Sequence, residues 1–450
     1  MKELLDRQER EILEKFEAAG YEAYFVGGCV RDAIMKRPGG DVDITTSALP
    51  EETKKVFADK RTIDTGIKHG TVAVLLDDIP VEITTYRTDG KYSDSRHPDS
   101  VRFVRSLDED LARRDFTMNA MGCDLNGGIV DPFGGIEDIK TGLIRAVGEP
   151  SKRFEEDALR IMRGLRFAAV LGFEIEPETE AAMFEKKELL TEISVERIFA
   201  EFRKLVCGQA AGDVVRKYVD ILGVVMPELA AMKGFLQHNA YHKYDVLEHC
   251  IQAMEVVKTT PENHEYMKMA ALFHDIGKPE CFTMDENGIG HFYGHPSKGE
   301  KVVTRLLERL KVDNATSDRI ETLVKRHDLI FDMDDRFLKR WMHRLGPDVL
   351  AEILEIKLAD NIGTGNMSEE LGHKFCEIRQ MISDILASEE CFSLKDLAAN
   401  GRDVIAAGVP AGPQVGQMLE MLLEKVIDGE VQNEREALIE AISKINLNKQ

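Results

Sequence analysis

Near residue 150 the chain changes its hydrophobic rhythm, and that change limits what it can fold into. Before it, short β-rich runs alternate with period two. YEAYFVGG (21–28) runs into a glycine turn, DVDIT (41–45) is short and alternating, and TVAVLLDD (71–78) and PVEITTYR (80–87) are joined by a tight turn. Between them, ALPEETKKVF (48–57) sets Pro50 ahead of Glu51 and Glu52, the chemistry of a helix start. After it, 3.6-residue periodicity takes over, as in FEEDALRIMRGLRFAAVLGF (154–173) and VERIFAEFRKLVC (195–207), and strand signals nearly vanish. The expectation is an α+β chain, a small mixed sheet with its helices followed by an all-helical remainder.

At roughly 150 residues per domain, 450 residues leave room for about three domains. Texture divides them as 1–150, 151–225, 226–370 and a helical tail, 371–450. Ten of the twelve histidines lie between His238 and His373, which sets the third segment apart. A composition of 43% hydrophobic and 31% charged residues excludes wholesale disorder. No run approaches the roughly 18 apolar residues of a membrane span. The first twenty residues read as a charged amphipathic helix without the apolar core of a signal peptide. Seven scattered cysteines without a C-x-x-C pair are the usage of reduced thiols, so a cytoplasmic location without membrane association is expected. The net charge of −22 argues against nonspecific coating of a polyanion. Any nucleic-acid contact should be confined to a patch, with marked charge asymmetry inside the molecule.

Three features of the first segment converge. Gly27 and Gly28 end a predicted strand just before Cys29-Val30-Arg31-Asp32, where a glycine pair lets backbone approach a phosphate and the next helix aims N–H groups at it. Asp41 and Asp43, on a predicted strand, would share one face; two carboxylates that close call for a bridging cation, and hard oxygen ligands suit Mg²⁺. Glu82, on a neighbouring strand pattern, is a candidate third carboxylate. Arg113-Arg114-Asp115-Phe116-Thr117-Met118-Asn119 supplies two guanidiniums and two polar groups fit to clamp a triphosphate and a ribose. Each has a plain structural alternative (a turn, a solvated strand edge, a helix end), but their conjunction points to two-metal nucleotidyl transfer.

In order and spacing, GG-x-V-R-D, D-x-D, TGIKHGTVAV, RRDFTMNAM, DPFGG and EDALRIMR resemble the class II tRNA nucleotidyltransferases over roughly the first 230 residues. These are the CCA-adding enzymes, which share a polymerase-β-like head with bacterial poly(A) polymerases. The resemblance implies a nucleotidyltransferase head, an elongated all-helical neck, body and tail, and CTP, ATP and the tRNA 3′ end as partners. Asp41 and Asp43 would hold two Mg²⁺ ions, and Gly27, Gly28, Arg31 and Asp32 would shape the phosphate pocket. Arg113, Arg114, Asp115 and Asn119 would grip triphosphate and ribose, with Arg163 also in the nucleotide site. Asp157 and Arg160, read as positions i and i+3 of one helix, would read C and then A. Lys152, Arg153, Arg163, Arg166, Arg197, Arg203 and Lys204 are candidates for a cationic face toward tRNA. A glycine-bearing, apolar-poor segment, 86–111, reads as a movable loop of the kind that CC-only members of the family lack.

In the third segment, His249, His274-Asp275, His295, His327 and Asp360 form an ordered series of metal-ligand types. With H-D-x-G-K at 274–278 it is similar to the HD superfamily of metal-dependent phosphohydrolases, which implies a divalent transition metal and a phosphate-facing Lys278. His238 and His242 are expected to frame that site. The expected function is addition or repair of the 3′-terminal CCA of tRNA. The alternatives are an A-adding or poly(A) enzyme and, from another class, an HD phosphohydrolase acting on RNA ends or nucleotides. Oligomeric state is not legible.

Overall fold

The computed structural model describes residues 8–90, 101–238, 243–365, 368–388 and 390–447. It divides into two compact units, residues 1–230 with 308–312, and residues 231–307 with 313–450.

The first unit opens with α1 (Arg10–Ala18) and a seven-stranded sheet of order β3-β4-β5-β2-β1-β8-β9. Its strands are β1 (Ala23–Val26), β2 (Asp43–Thr46), β3 (Thr62–Gly66), β4 (Thr71–Leu76), β5 (Ile79–Thr85), β8 (Gly122–Cys123) and β9 (Ile129–Val130). Only the β2–β5 pairing is parallel, so the sheet is mixed as expected. The β4–β5 turn works because Asp77 and Asp78 both accept positive φ, 46° and 65°, which matches the twist of a two-residue hairpin. Helix α2 (Gly28–Ile34) follows β1 directly, and α3 (Pro50–Val56) starts where the Leu49 N–H donates to Glu52 Oε2 at 2.7 Å.

The segment expected to be a movable loop has regular structure at both described ends. Strand β6 (Arg87–Asp89) pairs antiparallel with β7 (Val101–Phe103), and α4 (Leu107–Ala112) follows; residues 91–100 lie outside the described residues. After α5 (Gly135–Thr141), helices α6 (Pro150–Glu156), α7 (Leu159–Leu171), α8 (Pro177–Lys186), α9 (Val195–Val206) and α10 (Ala211–Leu222) pack together, α7 against α9 and α10. Two short parallel strands, β10 (Leu143–Ile144) and β11 (Glu174–Ile175), join within this region.

One expectation fails here. The single helix read across 154–173 is broken at Asp157, whose backbone is extended (φ −145°, ψ 101°). Its Oδ1 accepts the Leu159 N–H at 3.0 Å, the local side-chain bond by which aspartate competes with helix continuation and starts the next helix instead.

The second unit is helical apart from the hairpin β12 (Thr283–Met284) and β13 (Gly290–His291). Its longer helices are α11 (Val246–Val256), α12 (His264–Phe273), α13 (His295–Arg309), α14 (Asn314–Arg326), α15 (Asp335–Leu345), α16 (Pro347–Gly363) and α17 (Glu369–Ala387), followed by α18 (Pro413–Ile427) and α19 (Arg435–Leu447). A separate apolar core that includes Leu422, Leu423, Leu438 and Ile442 holds the tail helices. No helix among the described residues is long and apolar enough to cross a membrane, and all seven cysteines are free.

Candidate active site and metal centre

In the first unit, the turn after β1, the start of β2, α2, the stretch 113–119 that follows α4, and α7 bring Gly27, Asp43, Arg31, Arg114, Asp115, Asn119 and Arg163 together. Gly27 ends β1 at φ 76°, a conformation side chains resist, and a Cβ there would lie 3.2 Å from Arg114 Nη1 and 3.6 Å from Asp43 Oδ2. The glycine turn, the D-x-D strand and the double arginine therefore meet around one missing side chain. Asp43 is the first residue of β2, in register with Glu82 on the parallel neighbour β5. Asp41 precedes the strand, so strand alternation does not set the pair as expected. As whole residues all three are exposed, although the Asp43 carboxyl itself is turned towards Gly27 and partly buried. Among the described residues, groups of three or more ligand atoms within 4.8 Å of one another occur only in the second unit, and Asp41, Asp43 and Glu82 make no such group. Burial of its carboxyl pushes Asp43 up from the ordinary carboxylate range; the Arg114 guanidinium opposes this and the charge of Asp41 adds to it.

Behind these acids runs a chain of charge-assisted hydrogen bonds. Arg31 binds Asp32 Oδ1 through Nε (3.0 Å) and Nη2 (2.8 Å), and donates through Nη1 to Asn119 Oδ1 at 2.8 Å. Asn119 donates onward to Asp115 Oδ1 at 3.2 Å, and Arg163 Nε donates to Asp115 Oδ2 at 2.8 Å. Burial would raise the Asp115 carboxyl, but Arg163, Asn119 and the Phe116 N–H hold it down at about 2. Arg166 pairs with Glu201 at 2.5 Å, and the guanidiniums of Arg31, Arg163 and Arg166 surround the buried Phe167 ring at 5.1, 5.6 and 3.9 Å. Gly28 backs onto Arg31, 3.6 Å from where its Cβ would be.

Sequence reasoning missed the carboxylate that anchors both Arg113 and Arg114. Asp110, fully buried on α4, accepts from Arg113 Nε at 2.9 Å and Thr45 Oγ1 at 3.2 Å, and lies 3.6 Å from Arg114 Nη2. It stands three and four residues before the arginines on a helical stretch, and that spacing was the available signal.

Asp157 and Arg160 do not converge as a pair. Arg160 is buried and donates to Glu156 Oε2 (2.7 Å), Arg153 O (3.1 Å) and Arg113 O (2.9 Å), whereas Asp157 Oδ2 accepts from Arg197 Nη2 at 3.0 Å. The break at Asp157 removes the shared helical face on which the pairing relied. Much of the cationic face is likewise committed within the chain, with Lys152 on Glu149, Arg153 on Glu156, Arg163 on Asp115, Arg166 on Glu201 and Arg197 on Asp157.

In the second unit five helices deliver the histidine series to one buried centre. His249 lies on α11, His274 and Asp275 at the end of α12, His295 at the start of α13, His327 at the end of α14 and Asp360 on α16. Gly277 makes the approach possible, since a Cβ there would sit 2.4 Å from Gly299 N and 2.6 Å from His295 O. Two ligand groups share Asp275, one with His249, His274 and Asp360 and one with His295 and His327. The imidazole Nε2 atoms face one another and the carboxylates, with His249 to His274 at 3.0 Å, His295 to His327 at 3.2 Å, His249 to Asp360 Oδ1 at 3.1 Å and His295 to Asp275 Oδ1 at 3.3 Å.

The donor chemistry tests whether a metal fits. His274, His295 and His327 each give Nδ1 to a backbone carbonyl, Ala271 O (2.7 Å), Phe292 O (2.9 Å) and Val324 O (2.7 Å). A carbonyl only accepts, so Nδ1 carries the proton and a neutral ring turns a bare Nε2 lone pair to the centre. Both Asp275 oxygens are buried and neither meets a well-aligned hydrogen bond, though the Lys278 ammonium lies 2.5 Å from Oδ2. Lone pairs converging on carboxylates repel unless a cation lies between them, and mixed imidazole and carboxylate donors fit a divalent metal. Burial would raise the Asp275 carboxyl, but the Lys278 ammonium keeps it well below the usual range. Lys278 is buried, held by Asp275 and by Gln237 Oε1 at 2.8 Å. Exposed His238 packs on Phe282 at 5.8 Å outside the ligand groups, and His242 lies outside the described residues.

Comparison with known proteins places the chain in a family. The "Poly A polymerase head domain" model matches residues 23–145, the "RNA and SrmB- binding site of polymerase A" model residues 172–233, and the "tRNA nucleotidyltransferase domain 2" model residues 291–442. A CCA-adding enzyme of Limosilactobacillus fermentum is 38% identical over 97% of this chain and 96% of its own, and one of Geobacillus stearothermophilus 37% identical over 95% and 94%. The crystal structure of the Bacillus stearothermophilus CCA-adding enzyme in complex with CTP superposes with a TM-score of 0.72 at 33% identity, covering 98% of this chain and 97% of that one. A Thermotoga maritima CCA-adding enzyme complexed with tRNA shares the fold at a TM-score of 0.59 and 19% identity, over 97% and 94%. With near-complete coverage at this identity, the chain belongs to the family of CCA-adding enzymes, the tRNA nucleotidyltransferases.

Proposed function

We propose that the chain adds or repairs the 3′-terminal CCA of tRNA as a cytoplasmic enzyme, using CTP and ATP without a nucleic-acid template. The observation that carries this reading is the meeting of Gly27, Asp43 and Arg114 within 3.6 Å of a missing Cβ, in a chain whose full-length relatives are CCA-adding enzymes. Asp41 and Asp43 would hold Mg²⁺, and Glu82 is the neighbouring carboxylate in register. Bound there, Mg²⁺ would supply charge neutralisation at the reacting phosphate and a more acidic 3′-hydroxyl. Gly27 and Gly28 keep side chains off the phosphates. Arg113 and Arg114 bind the triphosphate from a rigid base at Asp110, and Asn119 and Asp115, locked by Arg31 and Arg163, meet the sugar. Asp157 reads the base without Arg160, whose guanidinium is committed to Glu156, Arg153 O and Arg113 O. Positioning and electrostatics supply most of the acceleration. In this reading 1–150 is the catalytic head, 151–225 the base-selecting neck, 226–370 the metal-binding body and 371–450 the tail.

The test is extension of a tRNA transcript lacking CCA, and of one ending in CC, with Mg²⁺ and CTP, ATP or both. Two C residues with CTP and one closing A with both nucleotides establish the reading. Extension of the CC-ended transcript alone makes the enzyme A-adding, and a long A tail makes it a poly(A) polymerase.

The buried imidazole and carboxylate centre favours a second activity. There His249, His274, Asp275, His295, His327 and Asp360 would hold one or two divalent transition-metal ions for hydrolysis of a phosphoester on an RNA end or nucleotide.

A further inference from the structure

The contact between Asp157 and Arg197 has no place in the assignment of Asp157 and Arg160 as the base-reading pair. Asp157 stands in the extended link between α6 and α7, so its backbone alone does not fix the carboxylate. Two donors do so. The Leu159 N–H holds Oδ1 at 3.0 Å, and Arg197 Nη2, from α9, holds Oδ2 at 3.0 Å. With one lone pair of each oxygen occupied, the remaining pairs point in set directions. Arg160 is spent on Glu156, Arg153 O and Arg113 O and gives Asp157 no support. Arg197 leaves Nη1 buried without a partner, and Glu201, one turn further along α9, is taken by Arg166. Asp157 is thus the acceptor to which Arg197 is committed.

We infer that Arg197 is a specificity-determining positioning residue, which by pinning the Asp157 carboxylate sets the discrimination of C and A from U and G. The inference rests on the reading above that the head adds C and A. Cytosine and adenine both present an amino donor beside an unprotonated ring nitrogen, whereas uracil and guanine present a carbonyl acceptor beside an N–H. A carboxylate fixed as an acceptor at the amino position favours the first pair and opposes the carbonyl of the second. Such rejection depends on the polar group being unable to turn away. Freed of Arg197, the Asp157 side chain rotates, the amino contact weakens and the carbonyl clash is relieved.

The experiment measures kcat/KM for CTP and UTP on tRNA lacking CCA, and for ATP and GTP on tRNA ending in CC. It uses the full chain as wild type, Arg197→Ala, Arg197→Gln, Asp157→Ala and the double variant Asp157→Ala/Arg197→Ala. Loss of one charge-assisted hydrogen bond predicts a fall of about ten- to a hundredfold in the CTP/UTP and ATP/GTP ratios of Arg197→Ala. Arg197→Gln, which keeps a donor, recovers part of the ratio. The double variant is no less selective than Asp157→Ala alone, because Arg197 acts through Asp157. A purely structural role would lower all four nucleotides together and leave the ratios unmoved in both Arg197 variants, and that result overturns the inference. Should Arg197→Ala fail to fold by thermal melting, the Arg197→Gln ratio decides. A wild type that adds neither C nor A removes the underlying reading instead, so the two failures are distinguishable.

Discussion

Arg31 donates through Nη1 to Asn119 Oδ1 at 2.8 Å, joining residues 88 positions apart in sequence. Through that bond the glycine turn after β1 and the double-arginine segment become one rigid wall, which continues through Asp115 to Arg163 on α7. Three separate stretches are thereby held in one fixed arrangement, the preorganisation that transfer through positioning would require of the proposed nucleotide site.

Asp110 tests whether the proposed nucleotide site depends on its buried anchor. Replacing it with alanine leaves the guanidinium of Arg114 without its principal counter-charge in a buried setting, a loss of about 3–5 kcal/mol of stability. KM for CTP and ATP should rise together, by about ten- to a hundredfold, because the triphosphate is common to both. Urea unfolding and steady-state kinetics of Asp110→Ala and Asp110→Asn check this. Wild-type KM values in Asp110→Asn would show that the arginines hold their places without it.

The acid limb of stability carries the signature of Asp115. Its carboxyl sits at about 2 when folded, below the roughly 3.9 of an unfolded aspartate. A depressed folded value gives stability that is fully present above about pH 4 and is lost as pH falls from about 4 towards 2. The contribution is roughly 2–3 kcal/mol. The difference in unfolding free energy between wild type and Asp115→Asn should therefore shrink between pH 5 and pH 3. A difference that stays constant over that interval rules out the proposed linkage.

Metal content separates the two units. Wild type purified with a divalent transition metal should retain at least one ion per chain by elemental analysis, and Asp275→Ala, which removes the ligand shared by both groups, should lose it. Its rate of nucleotide addition should stay within about twofold of wild type. Equal metal content in the two proteins would remove the buried centre as the site.

Much of this was legible in sequence for a physical reason. Glycine turns, β-hairpins and helix starts are local, so the Gly27 turn, the Asp77-Asp78 hairpin and the Pro50 helix follow from neighbouring residues. The histidine series was legible as types in order, because six metal-ligand residues in sequence are unlike a surface composition. The misses come from tertiary pairing. Asp110 and Glu201 look like solvated helix acids in LDEDLA and VERIFAEFRK, and only packing shows them buried among arginines. The break at Asp157 is hidden because apolar periodicity continues through it while one side-chain hydrogen bond resets the helix. Arg197 read as a cationic surface for the same reason, since its partner lies 40 residues away.

The central claim is that the head, and not the histidine-rich centre, performs nucleotidyl transfer. The most direct measurement is the rate of C and A addition to a tRNA lacking its CCA by wild type, Asp43→Asn and His274→Ala under identical Mg²⁺, CTP and ATP. The account predicts loss of about a thousandfold or more in Asp43→Asn and a rate near wild type in His274→Ala. Addition that survives in Asp43→Asn and disappears in His274→Ala would contradict it.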